Sequence, residues 1–144
     1  MAGSKVILVP IDFEKASGEA LGRARNLAET LAFEVVLLHV YAVPAPFYSG
    51  IAPMTGPALS EEIRLAAAET LERFAAEHGN LRSILRCGDP TTETLAIIEE
   101  IKPEMVVMGT HGRGGLGHLL LGSVAENIVR KSPVPVLTLR ATGS

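Results

Sequence analysis

Residues 5–40 run KVILVPIDFEKASGEALGRARNLAETLAFEVVLLHV, and the change of period along them decides the fold. Lys5-Val-Ile-Leu-Val-Pro-Ile11 is a short apolar run rich in β-branched residues, the pattern of a strand covered on both faces in a parallel sheet. From about Ser17 the period changes. Ala20, Ala24, Leu27, Ala28 and Leu31 lie three or four apart with charges between them, which predicts an amphipathic helix. Glu34-Val-Val-Leu-Leu-His-Val40 is again a nearly continuous apolar strand. A right-handed crossover sets it parallel to the first and completes a βαβ unit.

The same alternation continues outward. Tyr41 to Pro57 holds Pro44, Pro46, Pro53 and Pro57 with Phe47 and Tyr48, and reads as a long loop, either a functional flap or an excursion. A second helix carries Leu59, Ile63, Ala67, Leu71 and Phe74 on one stripe and stops at His78-Gly79. Leu81 to Arg86 is a third strand. Asp89-Pro90 then supplies an N-cap followed by proline at the first helical position, where its missing N–H is harmless. Leu95, Ile98 and Ile101 form the buried stripe of this third helix, which Pro103 stops before the strand Met105 to Met108. Ser123-Val-Ala-Glu126 has the spacing of a capping box and opens a fourth helix to about Lys131. The last strand, Val134 to Arg140, contains Pro135 and is expected at a sheet edge. Five strands and four helices in this order predict one doubly wound, Rossmann-like α/β domain over residues 1–144, with a five-stranded parallel sheet.

The chemistry concentrates between the fourth strand and the fourth helix. Gly109-Thr-His-Gly112-Arg-Gly114-Gly115-Leu-Gly117-His-Leu-Leu-Leu-Gly122-Ser123 places six of the chain's 14 glycines in one connection. Glycines let consecutive N–H groups curl into a concave nest that approaches an anion, and a helix N-terminus adds unpaired N–H groups to the same space. Phosphate is the expected anion. Asp12 and Val40, at the ends of the first two strands, stand at the same carboxyl edge, where open α/β sheets bind ligands. Peptide groups near Val40 can bond an adenine edge, Val40 and Ile11 can pack on the ring, and Asp12 can accept from a ribose hydroxyl or an amino group.

Composition narrows the classes. Thirteen basic and sixteen acidic residues leave a net charge of −3, and no run of one sign forms a nucleic-acid footprint. A single cysteine, Cys87, cannot form an internal disulfide, which fits a reducing cytoplasm and reads as a packed thiol. Asp12 interrupts the first apolar run before a signal-peptide core is complete, and no stretch approaches the roughly 20 apolar residues of a membrane helix. His111 and His118 lack a third ligand at metal-binding spacing and read as solvated loop residues. His39 is expected in a strand near the pocket with one hydrogen bond, and His78 at a helix C-terminus. No P-loop lysine precedes Gly122-Ser123, and the glycines follow the fourth strand where a dinucleotide fingerprint would follow the first.

The spacing Gly109-x2-Gly112-x9-Gly122-Ser123, with Val-Pro-Ile-Asp12, Gly88-Asp89-Pro90, Val-Val-Met-Gly109 and Ser132-Pro-Val-Pro-Val136 in order, resembles the universal stress protein family over nearly the whole chain. The resemblance implies its ATP-binding branch, a fold of the adenine nucleotide alpha hydrolase kind, and a homodimer through the last strand, Val134 to Arg140. By that resemblance Asp12 and Val40 hold the adenosine, Gly109 and Gly112 the ribose and phosphate stem, and Gly122, Ser123 and Val124 the outer phosphates. Pro10, Ile11, Met108, His111, Arg113 and Ala125 complete the expected set, with Mg²⁺ held chiefly by the phosphates. The sequence departs from the pattern at Ala125, where many ATP-binding members offer a hydroxyl.

Simpler roles stand beside these. Ser123 is also an expected N-cap, Asp12 an expected helix cap or Asx-turn residue, and Arg113 either an exposed cation or a phosphate clamp. The expected function is a nucleotide-dependent regulatory module in stress response. The alternatives are a slow ATPase, for which no convincing base is present, and a dimeric interaction protein with a vestigial pocket.

Overall fold

A computed structural model describes residues 4–43, 57–110 and 122–141 of the 144-residue chain. The sheet comprises β1 (Val6–Pro10), β2 (Glu34–Tyr41), β3 (Arg82–Cys87), β4 (Met105–Gly109) and β5 (Val136–Leu139). The helices between them are α1 (Lys15–Leu31), α2 (Pro57–Glu77), α3 (Pro90–Ile101) and α4 (Ser123–Lys131). All strand pairings are parallel and the order is β3-β2-β1-β4-β5. This is the doubly wound α/β architecture expected from the alternating pattern.

β1 sits at the centre, and Ile7, Leu8 and Val9 are each 0% exposed, so an unbroken apolar run was required there. Alternate side chains serve opposite faces. Ile7, Val9 and Leu37 meet α1 and α2, with Ala20, Leu21, Ala24 and Leu71 filling that layer. Leu8, Val36, Leu38 and Val106 meet α3 and α4 through Ile97, Ile98 and Ile128. The stripe on α2 buries only its C-terminal half: Leu71 and Ala75 are enclosed, whereas Leu59 is 37% exposed.

β5 lies at an edge, as Pro135 foretold. Pro135 precedes the strand, and its carbonyl accepts from the Val106 N–H at 2.9 Å. The last strand is shorter than Val134 to Arg140, because Ser132 bonds the Val134 N–H and carbonyl into a turn first. Two boundaries at helix N-termini also differ. α1 opens at Lys15 and not near Ser17, and the capping box at Ser123 does not form. Gly122 is the N-cap of α4, at φ 85° and ψ 151°, and its carbonyl accepts from the Glu126 N–H at 3.0 Å. Only glycine adopts that backbone readily, so the cap passes to it, and Ser123 becomes the first helical residue. Asp89 caps α3 as expected, accepting from the Thr92 N–H at 2.9 Å.

Candidate functional site

A cleft opens at the carboxyl ends of β1, β2 and β4. Three helix N-termini border it: those of α1 through Ala16 and Ser17, α3 through Pro90 and Thr94, and α4 through Val124 and Ala125. It lies where the crossovers leave β1 in opposite directions, the position at which open α/β sheets hold ligands.

The turn leaving β1 is tightly determined. Asp12 Oδ1 accepts from the Glu14 N–H at 2.9 Å, an Asx-turn, and lies 2.9 Å from the Ser17 hydroxyl. The Asp12 N–H in turn donates to Ser17 Oγ at 3.3 Å. This network draws the chain into α1 two residues earlier than periodicity suggests. Phe13 occupies the left-handed region at φ 66°, which its ring contacts offset: the His39 and Phe74 ring centroids lie 4.6 and 5.4 Å away. The Asx-turn expected of Asp12 is thus formed, and the residue also lines the cleft. Oδ1 builds the turn, and Oδ2 has no hydrogen bond among the described residues.

β2 outlasts β1 and so presents free peptide edge to the cleft. The Leu38 carbonyl accepts from Ile11 on the β1 side, and the Tyr41 carbonyl accepts from Gly88 on the β3 side. Peptide groups alternate sides along a strand, so the Val40 N–H and carbonyl face the β1 side beyond its end. On that side the Ile11 carbonyl accepts from His39 Nδ1 at 2.8 Å. Among the described residues neither Val40 peptide group has a backbone partner there. This leaves a donor and an acceptor side by side against an apolar wall.

Gly109 ends β4 at a very close approach. A Cβ there would lie 2.5 Å from the carbonyl carbon and oxygen of Ala16, so the first glycine of the loop allows α1 to seat on β4. It also borders the cleft. Across the mouth, α4 begins without any side-chain cap, since Gly122 has none to offer. Its first N–H groups, on Ser123, Val124 and Ala125, precede the Glu126–Gly122 bond and carry the positive end of the helix dipole. α3 contrasts with it: the Asp89 carboxylate occupies that helix's N-terminus, and the Thr92 N–H holds the carboxyl below its ordinary pKa.

Of the thirteen residues expected to bind a nucleotide, Pro10, Ile11, Asp12, Val40, Met108, Gly109, Val124 and Ala125 line this one cleft. Gly122 and Ser123 stand at the start of α4 without lining it. His111, Gly112 and Arg113 lie outside the described residues, as does His118. Leu38, Ser17, Pro90, Thr94 and Thr110 also line the cleft and were not anticipated. Thr94 left a signal: it sits three and four residues before Ile97 and Ile98, which makes it a hydroxyl on the buried stripe of α3. Cys87 is exposed at the end of β3, the edge strand, and not packed inside. Among the described residues no helix is long and apolar enough to cross a membrane, and no cluster of three metal-ligating side chains forms.

Comparison with known proteins agrees with this fold. Residues 3–140 match the sequence model of the Universal stress protein family. Universal stress protein MJ0531 of Methanocaldococcus jannaschii is 33% identical over 140 residues, spanning 94% of this chain and 82% of its own length. A second protein of that organism, MJ0577, is 29% identical over 159 residues, 97% of each chain. The structure solved for a structure-based assignment of MJ0577's biochemical function superposes with a TM-score of 0.67 at 28% identity, covering 98% of this chain and 99% of the other. A universal stress protein solved in complex with cAMP shares the fold, with a TM-score of 0.71 at 18% identity, covering 98% of this chain and all of that one.

Proposed function

The chain belongs to the universal stress protein family, and from that premise we propose that it is an ATP-binding regulatory module of the cytoplasm. One observation carries the reading: a free peptide edge at Val40, a carboxylate at Asp12 and an uncapped helix N-terminus at α4 meet around one cleft. These are the complements of a base, a sugar and an anionic tail, in that spatial sequence. A fold relative crystallised with cAMP supports the nucleotide class.

In this reading the Val40 N–H donates to a ring nitrogen of adenine and the Val40 carbonyl accepts from its amino group. Val40 and Leu38 supply apolar contact, and Asp12 Oδ2 accepts from a ribose hydroxyl. The N–H groups of Ser123, Val124 and Ala125 receive phosphate oxygens. Ala125 contributes only its backbone, because its side chain is a buried methyl. Bound Mg²⁺ neutralises phosphate charge and is coordinated chiefly by phosphate oxygens. Hydrolysis forms no part of the proposal. Regulation follows if bound ATP alters what a dimer, joined through the free edge of β5, offers to partners.

The test is direct. Freshly purified protein is denatured, any released nucleotide is identified by chromatography, and the emptied protein is titrated with Mg-ATP, Mg-ADP and AMP by calorimetry. Retained or tightly bound ATP is expected. Absence of binding by all three would leave the fold and favour a nucleotide-independent interaction module.

A further inference from the structure

Thr94 is 2% exposed, yet its hydroxyl makes no hydrogen bond among the described residues. No fully enclosed side-chain nitrogen or oxygen in the described structure lacks a partner. The Thr94 oxygen therefore keeps contact with the cleft that the residue lines. A buried hydroxyl facing an apolar wall is costly unless a ligand or water satisfies it. Pro90, one turn earlier, lines the same cleft, so both residues stand on one face of α3. That helix packs on β2, the strand that presents the free Val40 peptide edge.

Adenine's amino group has two hydrogens, and the Val40 carbonyl can accept one. Of the other side chains that line the cleft from β2, α3 and β4, Leu38, Val40 and Pro90 offer no acceptor and Met108 only a weak thioether. We propose that Thr94 is a base-recognition residue whose hydroxyl oxygen accepts the second hydrogen of the adenine amino group. The assignment rests on the nucleotide reading above and adds to it a determinant of base selectivity. Hydroxyl-to-amino pairing discriminates because an analogue without the amino group leaves both the Thr94 oxygen and the Val40 carbonyl unmatched.

Calorimetric titration with Mg-ATP and with the triphosphate of purine riboside, which lacks the amino group, tests this on the wild type, Thr94→Val and Thr94→Ser. Valine preserves shape and removes the hydroxyl; serine keeps it. Thr94→Val is expected to weaken ATP binding on the order of tenfold and to bind the analogue at least as well as wild type, with Thr94→Ser close to wild type for both. Equal losses for the two ligands in Thr94→Val, or wild-type ATP affinity in a folded Thr94→Val, would overturn the assignment while leaving the nucleotide site standing. A wild type that binds no ATP removes the site itself and this inference with it. Should valine prevent folding, Thr94→Ala takes its place, and a folded Thr94→Ala with wild-type ATP affinity or with equal losses for the two ligands contradicts the proposal.

Discussion

Replacing Gly109 by alanine should destabilise the protein far more than the same exchange elsewhere. The new methyl would stand 2.5 Å from the Ala16 carbonyl carbon and oxygen and 2.8 Å from its Cβ, whereas ordinary contact begins at 3.4 Å. The obstacle is helix backbone, which cannot swing aside as a long side chain does, so α1 and β4 must separate by almost 1 Å. Overpacking of this kind costs about 2–3 kcal/mol, since interiors are close-packed and yield only through concerted shifts. With an unfolding entropy of about 2.1 cal/mol/K per residue over 144 residues, that loss lowers Tm by about 7–10 °C. Gly18, inside α1, provides the internal control. A Cβ there meets nothing within 4 Å, so Gly18→Ala should raise stability by about 0.5–1 kcal/mol through helix propensity alone. Urea denaturation of both variants reads the contrast. A Gly109→Ala protein as stable as wild type would show that α1 does not seat on β4 this closely.

Gly122→Val places a β-branched residue at φ 85° and ψ 151°, costing about 1–3 kcal/mol, and should also reduce ATP affinity at the α4 N-terminus; a folded variant with wild-type affinity in calorimetry defeats that phosphate assignment. Asp89→Ala removes the α3 cap and should lower the melting temperature at neutral pH. The Thr92 N–H depresses the native Asp89 pKa, so its stabilisation is full above the ordinary value of 3.8 and is lost as pH falls through the lower native value. The gap between wild type and variant should therefore close on acidification, and a gap unchanged down to about pH 2 contradicts the linkage. The Val106–Pro135 and Thr110–Leu139 bonds put residues 135, 137 and 139 on the β4 side, which leaves the Thr138 N–H on the free edge of β5. Thr138→Pro should abolish edge-to-edge dimerisation while the subunit stays folded, and an unchanged sedimentation coefficient would move the dimer to another face.

Strand identity was legible because burial on both faces forbids polar interruption, as Ile7, Leu8 and Val9 show. Asp89-Pro90 was legible because cap and proline are local signals. The start of α1 was not, since it depends on Ser17 reaching back to Asp12, a contact that no period records. Ser123 misled because a capping box assumes an extended residue before the helix, and Gly122 at positive φ takes that place. The glycine cluster suggested an anion, but it concealed that Gly109 is also required by Ala16. Charged substitutions at Val136 or Leu137 would be poor probes of the β5 edge. Val136 packs on the α3 and α4 layer and Leu137 on the α1 and α2 layer.

The central position of β1 also bears on how the molecule assembles. Ile7 pairs on one side with Val35, close in sequence, and on the other with Met105, nearly a hundred residues away. The β1–α1–β2 unit can therefore form early, whereas joining β4 to β1 closes the longest loop in the sheet and bears the larger entropic cost. The cleft lies across that seam, with Asp12 and Val40 on the early side and Gly109 and Val124 on the late side. An occupant bridging it can bind only after the halves have met, so ligand would act as a latch on the final docking step and slow its reversal more than it speeds its approach.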